Sequence, residues 1–555
     1  MRVWTKSRIC FAAMMALVLV GMTACSGNQS GSEGEDGPIV ITVGGLSDST
    51  VEFKDGEDLE DNVYTRWLKE EKNIDLQYEF VVSKAEDYAT KLRLALSSGS
   101  RLPDVIWPNT IELAHELIES GKVKAIGDDI EQYASPELKQ LYEEHPEPFA
   151  SLSRDGKVYG IPGYSSMTGG TVIWIRQDWL DHVGLEAPKT MDEMERVLDA
   201  FTHEDPDQNG KDDTFGLALA LKNSYNDWMA TADWIFGAYG DNLSGHWVEG
   251  EGGNLVYGGV QPSVKEALGT MNRWMEKGYI DPEAGIKDAN KAGDAFVNEK
   301  AGVIAGPYWM GAFPLENLAA NNPGANYVPL PLPAGPDGQI GRAWTNKMES
   351  MILFSSEFKH MDAYFDVLNE MSGFSFGDES SPFYKGFFNG YDYVEYDGKT
   401  YYKKEEIIEH VPEEQWPKSD GGFINVQKYF SLTGDLEHPY MFDEPLLKFS
   451  ENPEAEPANP IESTVVKWGK YHWNAGAVRI SQNEHTIVNA FTGLPTETMM
   501  TRSELMDKLE SEAYSKIIYG EQPLDYFDTF VENWKKSGGE QMTQEVNAWY
   551  ESTRP

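Results

Sequence analysis

Cysteine is almost absent from these 555 residues: the chain carries two, Cys10 and Cys25. That excludes a disulfide framework and the small stapled folds that depend on one. Basic residues are also scarce. Lys and Arg total 46 against 91 Asp and Glu, for a formal net charge of −45. Such a field repels phosphate backbones and anionic lipid, so a nucleic-acid partner is disfavoured. Catalytic signatures are lacking too: there is no Walker A loop, no GxSxG, no HExxH and no CxxC. The ten His residues are scattered without metal-ligand spacing. A paired-carboxylate glycosidase site is neither shown nor excluded among so many acidic residues. No fixed-period repeat is visible, and no segment reaches 18 apolar residues, so no membrane-spanning helix is expected.

The first 24 residues read as a secretory signal. Arg2, Lys6 and Arg8 form a basic start, and Phe11–Val20 is an unbroken apolar run too short to span a bilayer. Small residues then lead to Gly21-Met22-Thr23-Ala24-Cys25, which resembles the lipobox of bacterial lipoproteins. On that reading Cys25 carries the lipid, and ordinary cleavage near Ala24 is the alternative. Removing the three cations takes the charge from −45 to −48. Residues 25–37, rich in Gly, Ser and acidic side chains, read as a flexible tether.

Beyond the tether the chain reads strand, helix, strand, helix, strand. Ile39–Val43 and Ile74–Val82 are β-rich, and Glu86–Ser98 is an amphipathic helix stopped by Gly99. Leu102–Trp107 is a short strand, and Asn109 is placed to cap the next helix. This order predicts a mainly parallel sheet covered by helices. A pliable passage, Asp155–Leu180, then separates two strand-like runs. Pro162 bars a regular interior strand there, and Gly163, Gly169 and Gly170 allow unusual dihedrals. Such a passage is where a chain leaves one rigid body for another. The Pro- and Gly-rich stretch 326–344 reads as a second crossing. Helices are expected at Asn223–Tyr239, from the capping box Thr190/Glu193, and from Thr501/Glu504. Asp397-Gly398 centres an expected hairpin.

Two constellations carry chemistry. Asp205, Asp207, Asn209 and Asp213 place oxygen donors at relative positions 1, 3, 5 and 9, with Gly210 at 6 and the Lys211 backbone carbonyl at 7. That is the spacing of a calcium loop. Position 12 is Gly216 instead of the bidentate Glu of an EF-hand, so a single structural calcium ion is expected, with a metal-free Asx-rich turn as the alternative. The second constellation is aromatic. Trp107, Tyr164, Tyr225, Trp228, Trp234, Tyr308, Trp309 and Trp344 fall at strand ends, in crossings or on one helix. Rings there can stack on sugar faces, while core packing is the competing reading for each one.

The motifs LPDVIW, DGKVYGIP, IRQDWLDHVGLEAPKTMDEM, DPDQNGKDDTFGL and AGVIAGPYWM together resemble the extracellular solute-binding lipoproteins (family 1) of carbohydrate ABC importers. The likeness is to the large calcium-containing subgroup that includes alginate-oligosaccharide-binding proteins. It implies an α/β, two-lobed periplasmic-binding-protein-like fold (type II), its discontinuous lobes joined by crossing strands. The expected N-terminal lobe is 38–163 plus about 340–375, and the C-terminal lobe 164–339 plus about 376–555. It also implies that Trp107 and Asn109 touch sugar from the first lobe, and Tyr308 and Trp309 from the second. Asp205, Asp207, Asn209, Lys211 and Asp213 match the calcium loop, although Thr214 replaces a further acidic ligand. The implied protein is a monomer on the outer face of the membrane. It captures an oligosaccharide for permease subunits by hinge closure and does no chemistry. Arg342 or Arg176 is a candidate to meet an acidic sugar. A surface-anchored polysaccharide-degrading enzyme and an oligopeptide receptor are the alternatives.

Overall fold

The computed structural model describes residues 37–47, 51–54, 56–164, 170–222, 225–343, 348–418, 424–434 and 436–553. The signal segment, Cys25, nearly all of the tether and Trp344 lie outside them. In chain order the main strands are β1 (Ile39–Leu46), β2 (Ile74–Val82), β3 (Val105–Ile106), β4 (Gly160–Tyr164), β5 (Thr171–Arg176), β6 (Phe215–Ala218), β7 (Ala301–Pro307), β8 (Tyr327–Leu330) and β9 (Met348–Phe354). They form a five-stranded sheet ordered β2-β1-β3-β9-β4 and a four-stranded sheet ordered β8-β5-β7-β6.

Neither sheet is wholly parallel. In the first, β1 runs parallel to β2 and β3, whereas β9 is antiparallel to β3 and β4. In the second, β7 is parallel to β6, and β5 is antiparallel to β7 and β8. The antiparallel members are the strands that arrive from or leave for the other sheet. Pro162 is accommodated because β4 is an edge strand, where a missing N–H breaks no inner ladder.

Local signals set most helix ends in the first half of the chain. Asn62 caps α1 (Val63–Glu71), its side chain accepting from the N–H groups of Tyr64 and Thr65. Gly99, at φ +71°, ends α2 (Ala85–Ser98) as expected. α3 (Ile111–Glu119) is capped by Thr110, not Asn109, because the Thr110 hydroxyl reaches the Leu113 N–H. Thr190 caps α4 (Met191–His203). The expected helix 223–239 shrinks to Asp233–Gly237, and the helix expected from Thr501 already starts at Glu497, capped by Thr496.

The cores follow the sheets, with one correction. Ile41, Val43, Val105, Ile161 and Phe354 of the first sheet share a buried cluster with Phe383, Phe387, Tyr391, Tyr429, Phe430 and Leu432. Phe383–Tyr391 and Ile424–Leu432 therefore pack on the first sheet, not in the second lobe where they were expected, while Val394, Ile407 and Val411 form a small cluster of their own. Their aromatic side chains lack a period, and burial alone decides where they go. The chain passes over at His438–Asp443: the His438 ring meets Ser375 O and Phe376, while Phe442 is in a cluster with Trp174 and Ile304 of the second sheet. The stretch 326–344 also needs revision, since Tyr327–Leu330 is a strand of the second sheet paired with β5.

Registers show where the crossings fall. Tyr164 at the end of β4 lies opposite Met348 at the start of β9. Thr171 at the start of β5 lies opposite Pro307 at the end of β7. The chain thus leaves the first sheet at the C-terminal end of β4 for the start of β5, and after β8 it returns to the first sheet at β9.

Candidate functional site

A cleft of about 400 Å³ opens at the C-terminal edge of β1 and β3. Gly44, Gly45 and Leu46 form one wall, Tyr78, Tyr88 and Phe430 supply rings, and Trp107 and Asn109 follow β3 directly. The glycines are there for space. A Cβ on Gly44 would stand 2.7 Å from the rings of Phe80 and Tyr88, and one on Gly45 would stand 2.7 Å from Tyr78. Trp107 and Asn109, the two residues that the family resemblance implies for the first lobe, both line this cleft.

Trp107 is fixed from three sides. Its backbone N–H donates to the Tyr88 oxygen at 3.2 Å, and its indole Nε1–H donates to Ser431 O at 3.1 Å. Its ring lies against Gly434, where a Cβ would approach to 2.1 Å; φ there is +67°, a second reason for glycine. Ser431 Oγ in turn sits 2.6 Å from Tyr78 Oη. Burial pushes the Tyr78 and Tyr88 hydroxyls up to about 12, so both stay protonated and able to donate. The stretch 424–434 adds Gln427, Lys428, Phe430, Ser431 and Gly434 to the lining. The sequence reading missed all five. They come from a stretch without hydrophobic period, and only the packing of 424–434 onto the first sheet brings them near.

On the second sheet, Trp309 follows β7 and stacks on Trp228, centroids 5.2 Å apart and planes 14° from parallel. Trp228 is 38% exposed, so the pair offers an open indole face beside the strand edge that receives the crossing. The other rings are core. Tyr308 is 1% exposed, between the His472 ring and the Arg479 guanidinium. Tyr225 packs on Phe236 and Tyr514, and Trp234 on Trp274 with its N–H on Thr231 O. Tyr164 is buried beside Tyr142 and donates to His145 O. Their placement at strand ends and on a supposed helix face does not bring them to a surface, because each polar tip is oriented inward. Trp344 lies outside the described residues.

The two arginines proposed for an acidic sugar are buried as well. Arg342 donates to Thr171 O, Arg479 O and Asn483 Oδ1, and Arg176 is held by Asp178 and Glu299. Each is used to join segments of the second body, and burial, with Arg479 nearby, draws the Arg342 guanidinium down to about 10.

The loop 205–213 is tightly turned. Asp205 and Gln208 have φ of +48° and +58°, and Gly210 has +74°. Asp205 carboxylate oxygens accept from Gly210 N–H, and the Asn209 amide donates to Asp207 at 2.6 Å and Asp213 at 3.0 Å. Partial burial, with Asp205 and Asp213 close by, raises the Asp207 carboxyl, whereas Lys300 lowers that of Asp213. Hard oxygen donors suited in type to Ca²⁺ thus converge around the amide, and cation binding there requires that amide to turn its oxygen inward. Among the described residues no three His, Cys, Asp or Glu side chains form a ready-made metal cage.

The sequence model of the bacterial extracellular solute-binding proteins matches residues 51–347. The chain belongs to that family. A curated relative, the polygalacturonan/rhamnogalacturonan-binding protein YtcQ of Bacillus subtilis, is 26% identical over 479 residues, 84% of this chain and 83% of its own length. The fructooligosaccharide ABC transporter substrate-binding protein FusA of Streptococcus pneumoniae is 32% identical over 276 residues, 47% of this chain and 48% of its own. A solved HMO-binding, ABC-transporter-associated solute-binding protein from Bifidobacterium longum infantis matches with a TM-score of 0.63 at 15% identity, covering 93% of this chain and 99% of that one. The fold of this solute-binding protein is the type II periplasmic-binding-protein-like one. No helix among the described residues is long and apolar enough to cross a membrane.

Proposed function

We propose that this solute-binding protein captures an oligosaccharide and presents it to the permease of an ABC importer without converting it. The observation that carries the reading is the Trp107 cleft, set at the C-terminal edge of a parallel strand pair, where α/β sheets receive ligands. It combines apolar rings with amide and hydroxyl groups, the mixture that sugars require. The saccharide-binding names of YtcQ and FusA support it. Ligand held at Trp107 and also at the Trp228–Trp309 pair favours a closed arrangement of the two bodies by its differential affinity for that state. Cys25 serves as the lipid-bearing residue and keeps the receptor, a monomer, on the outer face of the membrane. A calcium ion in loop 205–213, held by Asp205, Asp207, Asn209, Asp213 and the Lys211 carbonyl, supplies positive charge that fixes the loop.

The test is a glycan and peptide array on the mature chain, followed by solution scattering with and without the best ligand. Binding to an oligosaccharide, with a smaller radius of gyration and the glycan recovered intact, is the expected result. Preferential binding of peptides, or new reducing ends in the recovered glycan, would replace the reading with one of its rivals.

A further inference from the structure

We infer that Tyr78 and Ser431 are positioning residues, whose paired hydroxyls set the orientation of the Trp107 indole on which the ligand rests. That a ligand rests there is taken from the oligosaccharide reading above; the orientation of the ring is not. The indole N–H is the one polar group of that side chain, and it donates to Ser431 O at 3.1 Å. The ring is therefore only as well placed as that carbonyl. The carbonyl belongs to a turn in which Gly434 N–H donates to Phe430 O at 2.7 Å. Gly434 lies so close to the indole that a Cβ there would come within 2.1 Å of it, so the ring feels any shift of the turn directly.

Burial of Val426, Phe430 and Leu432 in the first core seats the stretch 424–434, but apolar burial has no direction. Direction comes from the hydroxyl pair, since Ser431 Oγ lies 2.6 Å from Tyr78 Oη, 353 positions away in the chain. Tyr78 is itself held by β1. The pairing of β1 with β2 slips by one residue between Val43, opposite Tyr78, and Gly44, opposite Phe80. Such a bulge re-aims the side chains beside it. Gly45 lets the Tyr78 ring lie against the β1 backbone, and Gly44 does the same for Tyr88, whose oxygen accepts Trp107 N–H. Two adjacent glycines thus place two tyrosines, one on the backbone of Trp107 and one, through Ser431, on its indole. A ring held this way has lost its rotamer freedom before the ligand arrives, which raises affinity without a further contact.

The experiment labels the mature chain with fluorotryptophan and follows the fluorine resonance of Trp107, assigned by its loss in Trp107→Phe. Calorimetry on the same proteins measures binding of trigalacturonate, kestose and maltotriose. Without ligand, the Trp107 resonance should shift or split in Tyr78→Phe and in Ser431→Ala while the other tryptophan resonances stay. Ser431→Thr, which keeps the hydroxyl, should restore it. Each saccharide that binds the wild type should bind Y78F about fivefold more weakly, the size expected for one hydrogen bond. Added to Trp107→Phe, which has no N–H to orient, Tyr78→Phe should cost little more, because a positioning residue acts through the indole. A Trp107 resonance unchanged in both Y78F and S431A overturns the inference. So does an equal loss from Y78F with and without the indole, which would make Tyr78 a direct ligand contact. If the resonance moves as expected but none of the three saccharides binds the wild type, the positioning stands and the oligosaccharide reading is what fails.

Discussion

The Asp233 carboxylate accepts the backbone N–H of Ala343 at 2.9 Å, and through the same oxygen it accepts the Thr171 hydroxyl at 2.8 Å. Thr171 is the first residue of β5 and Ala343 precedes the return to β9, so one buried group holds both crossings at the second sheet. Its other oxygen accepts from Trp234 N–H and the Thr231 hydroxyl. Each oxygen therefore faces a backbone N–H that cannot turn away. Asp233→Asn must set an amide NH₂ against one of them, whichever way it flips. We expect D233N to lose on the order of 2 kcal/mol in denaturant unfolding, the cost of a buried unsatisfied donor. A loss below a few tenths would mean the network is dispensable.

The aromatic surfaces separate by burial. Trp107→Ala removes a ring from the cleft and should weaken oligosaccharide binding by about 2 kcal/mol, roughly thirtyfold, as for a central anchor. Trp228→Ala removes an exposed indole and should weaken binding with the melting temperature within a few degrees. Trp309→Ala, which leaves Trp228 unsupported, should cost affinity as well. Tyr308→Ala, by contrast, empties a buried site and should lower stability by about 3 kcal/mol or more. Calorimetry and thermal melts on the four variants distinguish surface from core; unchanged affinity in W107A and W228A together would remove both surfaces from the site.

The parts of the fold legible in the sequence are those set by short-range physics. The ends of α1, α2 and α4 depend on side chains or glycines within a few positions, and the Asp397-Gly398 hairpin on a dipeptide whose φ values are +50° and +75°. Trp107 was legible because a strand end in an α/β order is a defined place. Tyr308 and Trp234 were not, since an aromatic at a strand end has the same local pattern whether its ring faces solvent or His472 and Trp274. Ser431 and Gly434 lay furthest from reach. Their role depends on contacts more than 300 positions away in the chain, such as Ser431 O with Trp107 Nε1.

The calcium site proposed at 205–213 gives a separate test. If Ca²⁺ binds the folded loop alone, a concentration ten times the dissociation constant stabilises the protein by about 1.4 kcal/mol. Differential scanning calorimetry with millimolar Ca²⁺ and then with a chelator should show a rise of a degree or more, and Asp207→Asn should abolish it. Identical melts with and without the ion would leave 205–213 as a self-bonded turn, with the Asn209 amide kept between Asp207 and Asp213.

Glu510 supplies the pH dependence. It lies on the helix Glu497–Ile518, buried, and accepts from the hydroxyls of Tyr257, at 2.8 Å, and Ser244. Tyr225 and Tyr514 also face it, along with Asp507 on its own helix. Burial pushes its carboxyl up to about 7, with Asp507 adding to the rise and the two hydroxyls opposing it. The folded state thus holds the proton more tightly than the unfolded chain, where a glutamate titrates near 4.5. Below that pH both states are protonated and nothing is lost. As pH rises towards 7 only the unfolded state ionises, and stability falls by on the order of 3 kcal/mol before levelling off. Glu510→Gln cannot ionise. The difference in unfolding free energy between wild type and E510Q should therefore shift in favour of the variant from pH 5 to pH 8. Taking that difference cancels other titrations, including that of His472, which burial draws down to about 4 and which acts in the opposite direction. Parallel pH profiles for the two proteins would show that the Glu510 carboxyl ionises as readily in the folded state as in the unfolded chain.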